Sequence, residues 1–181
     1  ALALPSCPMG SFDVVRRIRS GSGFVLDAAF AGDRPVVVVH GAPSQERDQV
    51  RTALAAVRDI HDRMRHRLVP RVVSADLGCD DPWLCFDCPA TFDGGTLLER
   101  MATSERRIPY AGADAFIRSL REGLEAGHAA GTCMGRISPR NVLFAPDGRF
   151  WLIGFGRNLA IELADGVLDT DVPFFRRQSS L

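Results

Sequence analysis

The chain contains no lysine. All 22 of its Lys and Arg residues are arginine, and 22 acidic residues balance them, so the formal net charge is zero. This balance provides no basic excess of the kind that indicates binding to nucleic acid or to an anionic membrane. Without lysine, no ammonium side chain is available to anchor a bound phosphate, whatever the fold.

Long apolar runs are also missing. The run from Val36 to Val39 is only a few residues long, far below the roughly 20 residues that span a bilayer. The first eight residues, ALALPSCP, have neither the basic start nor the apolar stretch of a signal peptide. We therefore expect a soluble, cytoplasmic protein that does not bind membranes. The arginine-only, alanine-rich composition is typical of high-GC bacterial genomes.

The five cysteines form no regular disulfide framework. An odd number without regular spacing favours free thiols in a reducing compartment. Cys85 and Cys88 form a C-x-x-C pair, and Cys79 precedes them by six residues, so these three are weak candidates for part of a zinc site. No fourth ligand is evident, and apolar cysteines in a buried strand are the favoured interpretation. A zinc-stabilised binding module is the third of our functional alternatives.

A length of 181 residues with 46% hydrophobic content is enough for one core arranged as two small lobes. Alternation and turn residues predict a β-meander, followed by two further strands. The predicted strands are Phe12 to Ile18, Gly23 to Phe30, Val36 to His40, Arg71 to Leu77 and Trp83 to Cys88. Between the third and fourth strands, apolar residues at three- and four-residue spacing predict a helix from Ser44, its expected N-cap, to about His66.

The second half of the chain is predicted to be mainly helical. A short helix is expected from Thr96 to Met101 and a longer one from Ala113 to Ala130. Two short strands follow, Asn141 to Phe144 and Phe150 to Ile153, joined by the turn Pro146-Asp-Gly. The element order is thus β first, then mostly α.

Two ungapped stretches carry a resemblance to a known family. The segment HAAGTCMGRISPRNVLF, which starts at His128, resembles the catalytic-loop stretch of bacterial Ser/Thr protein kinases, typically HAAGIVHGDLKPENVLL. The segment PDGRFWLIGFG, which starts at Pro146, resembles the strand pair that follows and its Asp-Phe-Gly ending. The turn Gly21-Ser-Gly23-Phe is similar to part of the kinase glycine-rich loop, although Val25 replaces its third glycine.

The resemblance implies an α+β protein-kinase-like fold. Residues 1–11 would be an N-terminal extension. Residues 12–89 would form an N-lobe with a five-stranded antiparallel sheet, one helix and the hinge. Residues 90–181 would form a partial C-lobe without the later helices, so we expect either a fragment or a naturally short form.

Several positions that would carry phosphoryl transfer in the family hold other residues here. Phosphoryl transfer needs cations on the phosphates, a carboxylate for magnesium and another to orient the attacking hydroxyl. We place His40 at the strand lysine, and Ala56 or Val57 at the helix glutamate that would pair with it. Neither Ala nor Val can pair with a cation.

The catalytic loop is altered in the same way. Arg136 replaces the catalytic aspartate, and an arginine cannot act as a base. Ser138 replaces the nearby lysine, and Gly154 replaces the magnesium-binding aspartate. Asn141 is the only polar member of the set that remains. The resemblance therefore implies a pseudokinase with no catalytic residues and no cofactor, and we do not expect it to bind ATP.

Two further predictions concern binding. The weak candidates for nucleotide contact are Gly21, Gly23 and Asn141, and they support the alternative of an atypical nucleotide-binding enzyme with a rearranged site. Because later helices are missing, we expect an uncovered apolar stripe that binds a second copy or another protein. Its predicted residues are Phe116, Ile117, Leu120, Leu124, Phe174 and Phe175. The first of our hypotheses is therefore a non-catalytic scaffold or regulator.

Overall fold

The computed structural model describes residues 12–20, 23–88, 96–102, 110–132, 134, 138–145 and 149–155. The predicted N-terminal extension, Gly21, Arg136, Phe174 and Phe175 lie outside these residues. Within them the chain is α+β, with a five-stranded antiparallel sheet, as predicted. None of the described helices is both long and apolar enough to cross a membrane.

Three consecutive strands form the meander that the alternation predicted. They are β1 (Phe12–Ser20), β2 (Phe24–Ala31) and β3 (Arg34–Gly41). Two further strands, β4 (Val72–Asp76) and β5 (Trp83–Phe86), complete the sheet in the order β1-β2-β3-β5-β4. The turn between β4 and β5 is held by the side chain of Asp76, which accepts hydrogen bonds from the amides of Gly78 and Cys79 at 2.9 and 3.1 Å.

Helix α1 (Arg47–Arg63) connects β3 to β4 and packs on one face of the sheet. Its buried residues recur at three- and four-residue spacing because one stripe of the helix faces the sheet. The predicted N-cap at Ser44 is wrong: Glu46 holds the cap position and its side chain makes no capping hydrogen bond. We call the sheet face that contacts α1 the inner face and the opposite one the outer face.

The second half adds two helices and a hairpin. Helix α2 (Leu97–Ala102) is short, and α3 (Tyr110–Ala129) begins three residues earlier than predicted. A 3-10 turn (Pro139–Asn141) leads into β6 (Val142–Phe144), which pairs with β7 (Phe150–Leu152). The amide of Leu152 donates to the carbonyl of Leu68 at 2.6 Å and so joins this hairpin to the loop after α1.

The described residues bury three apolar clusters. The main core lies between the inner face, α1 and the β6–β7 hairpin, and a second cluster joins the end of α1 to the hairpin and α3. Gly127 of α3 belongs to the second contact, because a Cβ there would lie 2.6 Å from the ring of Phe155. The third cluster, on the outer face, contains Ala29, Val36, Val38 and Cys85, with Phe12, Val14, Ala31 and Trp83 packed against it.

Candidate functional site

A small pocket lies between the inner face, α1 and the residues after β7. Its cavity is about 20 Å³, which is room for about one water molecule. The lining residues are apolar except for one histidine: Phe24, Leu26, Val37, Val39, Leu54, Val57, His61, Phe86, Ile153 and Gly154.

The strand β3 presents valine to this pocket. Val37 and Val39 line it, whereas Val36 and Val38 belong to the outer-face cluster. Because side chains alternate between the faces of a strand, His40 falls on the outer face. Its imidazole contacts Asp27 there, with Nε2 3.0 Å from Oδ2. The residue that faces the pocket where we expected His40 is therefore Val39.

Helix α1 supplies no acidic partner on the pocket side. Val57 is buried and lines the pocket, while Ala56 is half-buried and does not. Of our two predicted positions for the missing glutamate, Val57 is the one that faces the pocket. Val39 on the sheet and Val57 on the helix thus both line the pocket with apolar side chains.

Among the described residues that line the pocket, His61 is the one with a polar side chain, and it is 3% exposed. Its Nδ1 donates to the carbonyl of Pro70 at 3.0 Å, and its ring packs edge-on against Phe86, with the ring centres 4.8 Å apart. Burial lowers the pKa of His61, outweighing the opposing effects of the Pro70 carbonyl and Asp62. The ring is therefore neutral near pH 7 and does not supply the pocket with a cation.

Asn141 and Gly154 are brought together beside the pocket, as the resemblance implied. Gly154 has a φ of +107°, which disfavours any residue with a Cβ. A Cβ at this position would lie 3.3 Å from Cγ of Asn141. The backbone also joins the two segments, because the amide of Ile153 donates to the carbonyl of Asn141 at 2.9 Å. Asn141 thus faces a glycine, and this position offers no carboxylate beside it.

Ser138 has a local structural contact in the same turn. It is the N-cap of the 3-10 turn, and its hydroxyl accepts a hydrogen bond from the amide of Arg140 at 3.3 Å. Such a cap satisfies an amide that the short helix leaves unpaired.

An arginine of β1 reaches Asn141 from the sheet. Arg19 donates from Nη1 to Oδ1 of Asn141 at 2.9 Å, across 122 residues of sequence. On the same strand, Nη1 of Arg16 pairs with Oε1 of Glu99 in α2 at 3.3 Å. The remaining nitrogens of Arg16, Nε and Nη2, are buried and have no hydrogen-bond partner among the residues that the structure describes. The sequence shows only an arginine-rich strand and gives no indication of these contacts.

A second polar network lies on the outer face of the sheet. Asp27, whose side chain is 3% exposed, accepts from Nε of Arg17 at 3.1 Å and from His40. Burial on its own would raise the pKa of Asp27, but hydrogen bonds from His40 and Arg17 and their positive charges together lower it. Strands β1, β2 and β3 are thereby linked by one polar network, which the sequence analysis missed.

The glycine turn is described only from Gly23 onwards. The carbonyl of Gly23 accepts from the amide of Ala42 at 3.0 Å, which ties the start of β2 to the end of β3. Gly21 lies outside the described residues.

The three candidate zinc ligands do not converge. Cys85 is in the outer-face cluster, Cys88 is in the main core, and Cys79 is in the β4–β5 turn, where its thiol contacts the carbonyls of Asp76 and Asp81. Cys85 and Cys88 are three positions apart at the end of a strand, so they fall on opposite sides of the sheet. In the described part of the chain, no group of three or more His, Cys, Asp or Glu residues could hold a metal ion. Burial raises the pKa of the Cys85 thiol to about 11.

The predicted apolar stripe on α3 is mostly covered by the chain itself. Phe116 packs against the rings of Phe144 and Phe150, with centres 6.0 and 4.8 Å away. Leu120 and Leu124 are likewise partly buried against the second cluster. The expectation that these three residues form an open surface is wrong, because the β6–β7 hairpin lies against them. Of the four predicted residues that the structure describes, only Ile117 is exposed, at 61%.

Comparisons with known proteins do not assign the chain to a family. No protein-family model matches it, and a search of curated proteins found no match.

Proposed function

We propose that this protein is a catalytically inactive kinase-like protein, a pseudokinase, that acts by binding a protein partner. The proposal rests on the two sequence stretches that resemble kinases and on the order of strands and helix in residues 12–88. A five-stranded antiparallel sheet with one helix between the third and fourth strands is the arrangement that the resemblance implies.

The apolar lining of the pocket is the observation that supports the proposed absence of catalysis. Phosphoryl transfer depends on fixed charges around the phosphates and metal. The pocket instead has Val39 on the sheet, Val57 on the helix and Gly154 beside Asn141. An apolar cavity of one-water size favours neither a triphosphate nor a magnesium ion.

Thermal-shift titration with ATP tests this part of the proposal. We expect no saturable increase in Tm up to millimolar ATP, with or without Mg²⁺ or Mn²⁺, because ligands that bind the folded state raise its stability. A saturable shift that depends on the metal would instead support an atypical nucleotide-binding enzyme that uses Asn141. The variant Asn141→Ala is the matched control, since a shift that survives it arises elsewhere.

The surface that we propose for a partner is smaller than the sequence indicated. Among the described residues, the large apolar side chains exposed on the helices are Ile117 of α3, at 61%, and Met101 of α2, at 57%. We propose that these side chains contribute to the contact with a second copy of the chain or another protein.

Light scattering at micromolar concentration tests the homo-oligomer directly. We expect self-association that Ile117→Asp weakens, because the substitution places a charge in the contact. Val73→Asp, at a 43% exposed position on β4, serves as the matched control and should leave the assembly intact. A monomer at all concentrations would exclude the second copy and leave a different protein as the partner.

A further inference from the structure

Three arginines of β1 make three different connections. Arg17 bonds to Asp27 within the sheet, whereas Arg16 and Arg19 reach Glu99 and Asn141 in the second half of the chain. The last two contacts span 83 and 122 residues of sequence. Two of the three arginines therefore join the sheet to the segments that follow it.

The Arg19 contact attaches β1 to the wall of the pocket. Asn141 is 8% exposed, and its backbone carbonyl holds the amide of Ile153. Ile153 and Gly154 in turn line the pocket. A hydrogen bond from a charged donor is stronger than one between neutral groups, so this contact favours the closed arrangement of β1 against the pocket wall.

The Arg16 contact, in contrast, favours separation of β1 from α2. Its ion pair with Glu99 joins side chains that are 38% and 47% exposed, and pairs at such exposure contribute little to stability. Its Nε and Nη2 are buried without a partner. Burying unpaired donors of a charged group is costly, and separation of β1 from α2 would return these donors to water. Arg16 therefore opposes closure.

We propose that the hydrogen bond between Arg19 and Asn141, which we call the clasp, holds the pocket closed. The unpaired Nε and Nη2 of Arg16 favour opening of the clasp. The pocket is then a two-state element whose open form is a minor population. The clasp would control access to the pocket in the same way whichever partner the protein binds.

Thiol labelling of the full chain measures the opening. Cys88 is fully buried in the main core, the cluster that also contains most of the pocket-lining residues, and Cys85 is buried on the outer face. Each is kept as the single cysteine in one background, with the other cysteines replaced by alanine. The labelling rate of each thiol by a small disulfide reagent is then compared among the parent, Arg19→Met, Arg16→Met and Arg17→Met. Tm is measured for every variant.

The substitutions of Arg19 and Arg16 should change the labelling rate of Cys88 in opposite directions. Arg19→Met should speed the labelling of Cys88 by about tenfold or more, with little effect on Cys85. Arg16→Met should slow the labelling of Cys88 by roughly fivefold, because the unpaired donors are gone. Arg17→Met is the matched control on the same strand, and it should affect Cys85 more than Cys88.

Three results would overturn the proposal. Equal acceleration of both thiols by Arg19→Met would indicate general destabilisation without a separate opening. An unchanged rate for Cys88 in Arg19→Met would show that the contact with Asn141 does not hold the pocket closed. Faster labelling of Cys88 in Arg16→Met would make Arg16 a second closing contact, contrary to its assigned role.

Discussion

The two faces of the five-stranded sheet differ in where they carry charge. Where the inner face meets α1 its side chains are apolar, including Leu26, Val37 and Val39, and its charged residues, Arg16 and Arg19, lie on the edge strand β1 opposite Ala28 and Leu26. The outer face contains a buried aspartate, Asp27, with Arg17 and His40 bonded to it. A buried charge is tolerated where it is paired and hydrogen-bonded, so Asp27 is tolerated on the outer face, whereas an unpaired charge at Val39 would not be.

This difference bears directly on function. A cation that contacts a phosphate in the pocket from the middle of the sheet would have to replace Val37 or Val39, which line it. The charges of the outer face serve to join β1, β2 and β3. The contrast between the faces therefore supports our proposal that the fold is retained for binding and without catalysis.

The largest effect is expected when a charge is placed on the inner face. Val39→Lys should destabilise the protein by about 3–5 kcal/mol, because the ammonium would be buried without a partner. Urea unfolding measures the loss. His40→Lys is the matched control on the adjacent outer position, where Asp27 can pair with the new ammonium, and it should cost far less. Similar losses for both variants would remove the distinction between the faces.

A smaller loss is expected when the outer network is broken. Asp27→Asn should cost about 1–3 kcal/mol near neutral pH, because Arg17 and His40 lose a charged acceptor. Since the pKa of Asp27 is lowered in the folded protein, its contribution is fully present above the unfolded value of about 3.9 and is lost as the pH falls through the folded value.

The pH profile of unfolding checks this assignment. The parent protein should lose more stability than Asp27→Asn as the pH falls below about 4. Asp13→Asn, at an exposed position of β1, is the control and should follow the parent. Parallel profiles for the parent and Asp27→Asn would show that the outer network does not depend on the charge of Asp27.

His61 gives the inner side a pH dependence of its own. Its pKa is lowered by burial, so the unfolded chain takes up a proton near pH 6.5 while the folded chain does not. Stability should therefore fall as the pH drops below about 6.5, by at most about 1.4 kcal/mol per pH unit from this group. His61→Gln should lose this slope, and His128→Gln, at an exposed position, should keep it. A slope that His61→Gln retains would contradict the assignment.

The smallest effect is expected at the surface pair of Arg34 and Asp87. Its guanidinium and carboxylate are 2.6 Å apart, with side chains 55% and 38% exposed. Exposed ion pairs contribute about 0–1 kcal/mol, so Arg34→Gln should change the stability by less than 1 kcal/mol. A larger loss would mean that charge matters on the rim of the sheet as well as in the Asp27 network.

The sequence predicted the strands, the main helices and their order because each has a clear periodicity or turn signal. It did not predict which face His40 occupies. The four consecutive valines before it show no alternation of apolar and polar residues, so the two faces of β3 are indistinguishable without the pairing to β2 and the packing of α1. Our placement of His40 at the pocket was wrong by one residue for this reason.

Other features depend on contacts between distant parts of the chain. The bond from Arg19 to Asn141 and the cover of the β6–β7 hairpin over Phe116 both arise from the tertiary fold. Neither leaves a local pattern of spacing. The proximity of Asn141 to Gly154, in contrast, follows from the predicted hairpin, because its two strands pair and bring their outer ends together.

The conformation of Gly154 limits which residues can occupy its position. At a φ of +107° the backbone strongly disfavours any side chain, and a Cβ would also approach Asn141 closely. An aspartate introduced at this position would have to shift the backbone and displace Asn141 before it could serve as a ligand. A single substitution therefore cannot add a carboxylate here without disturbing the neighbouring segment.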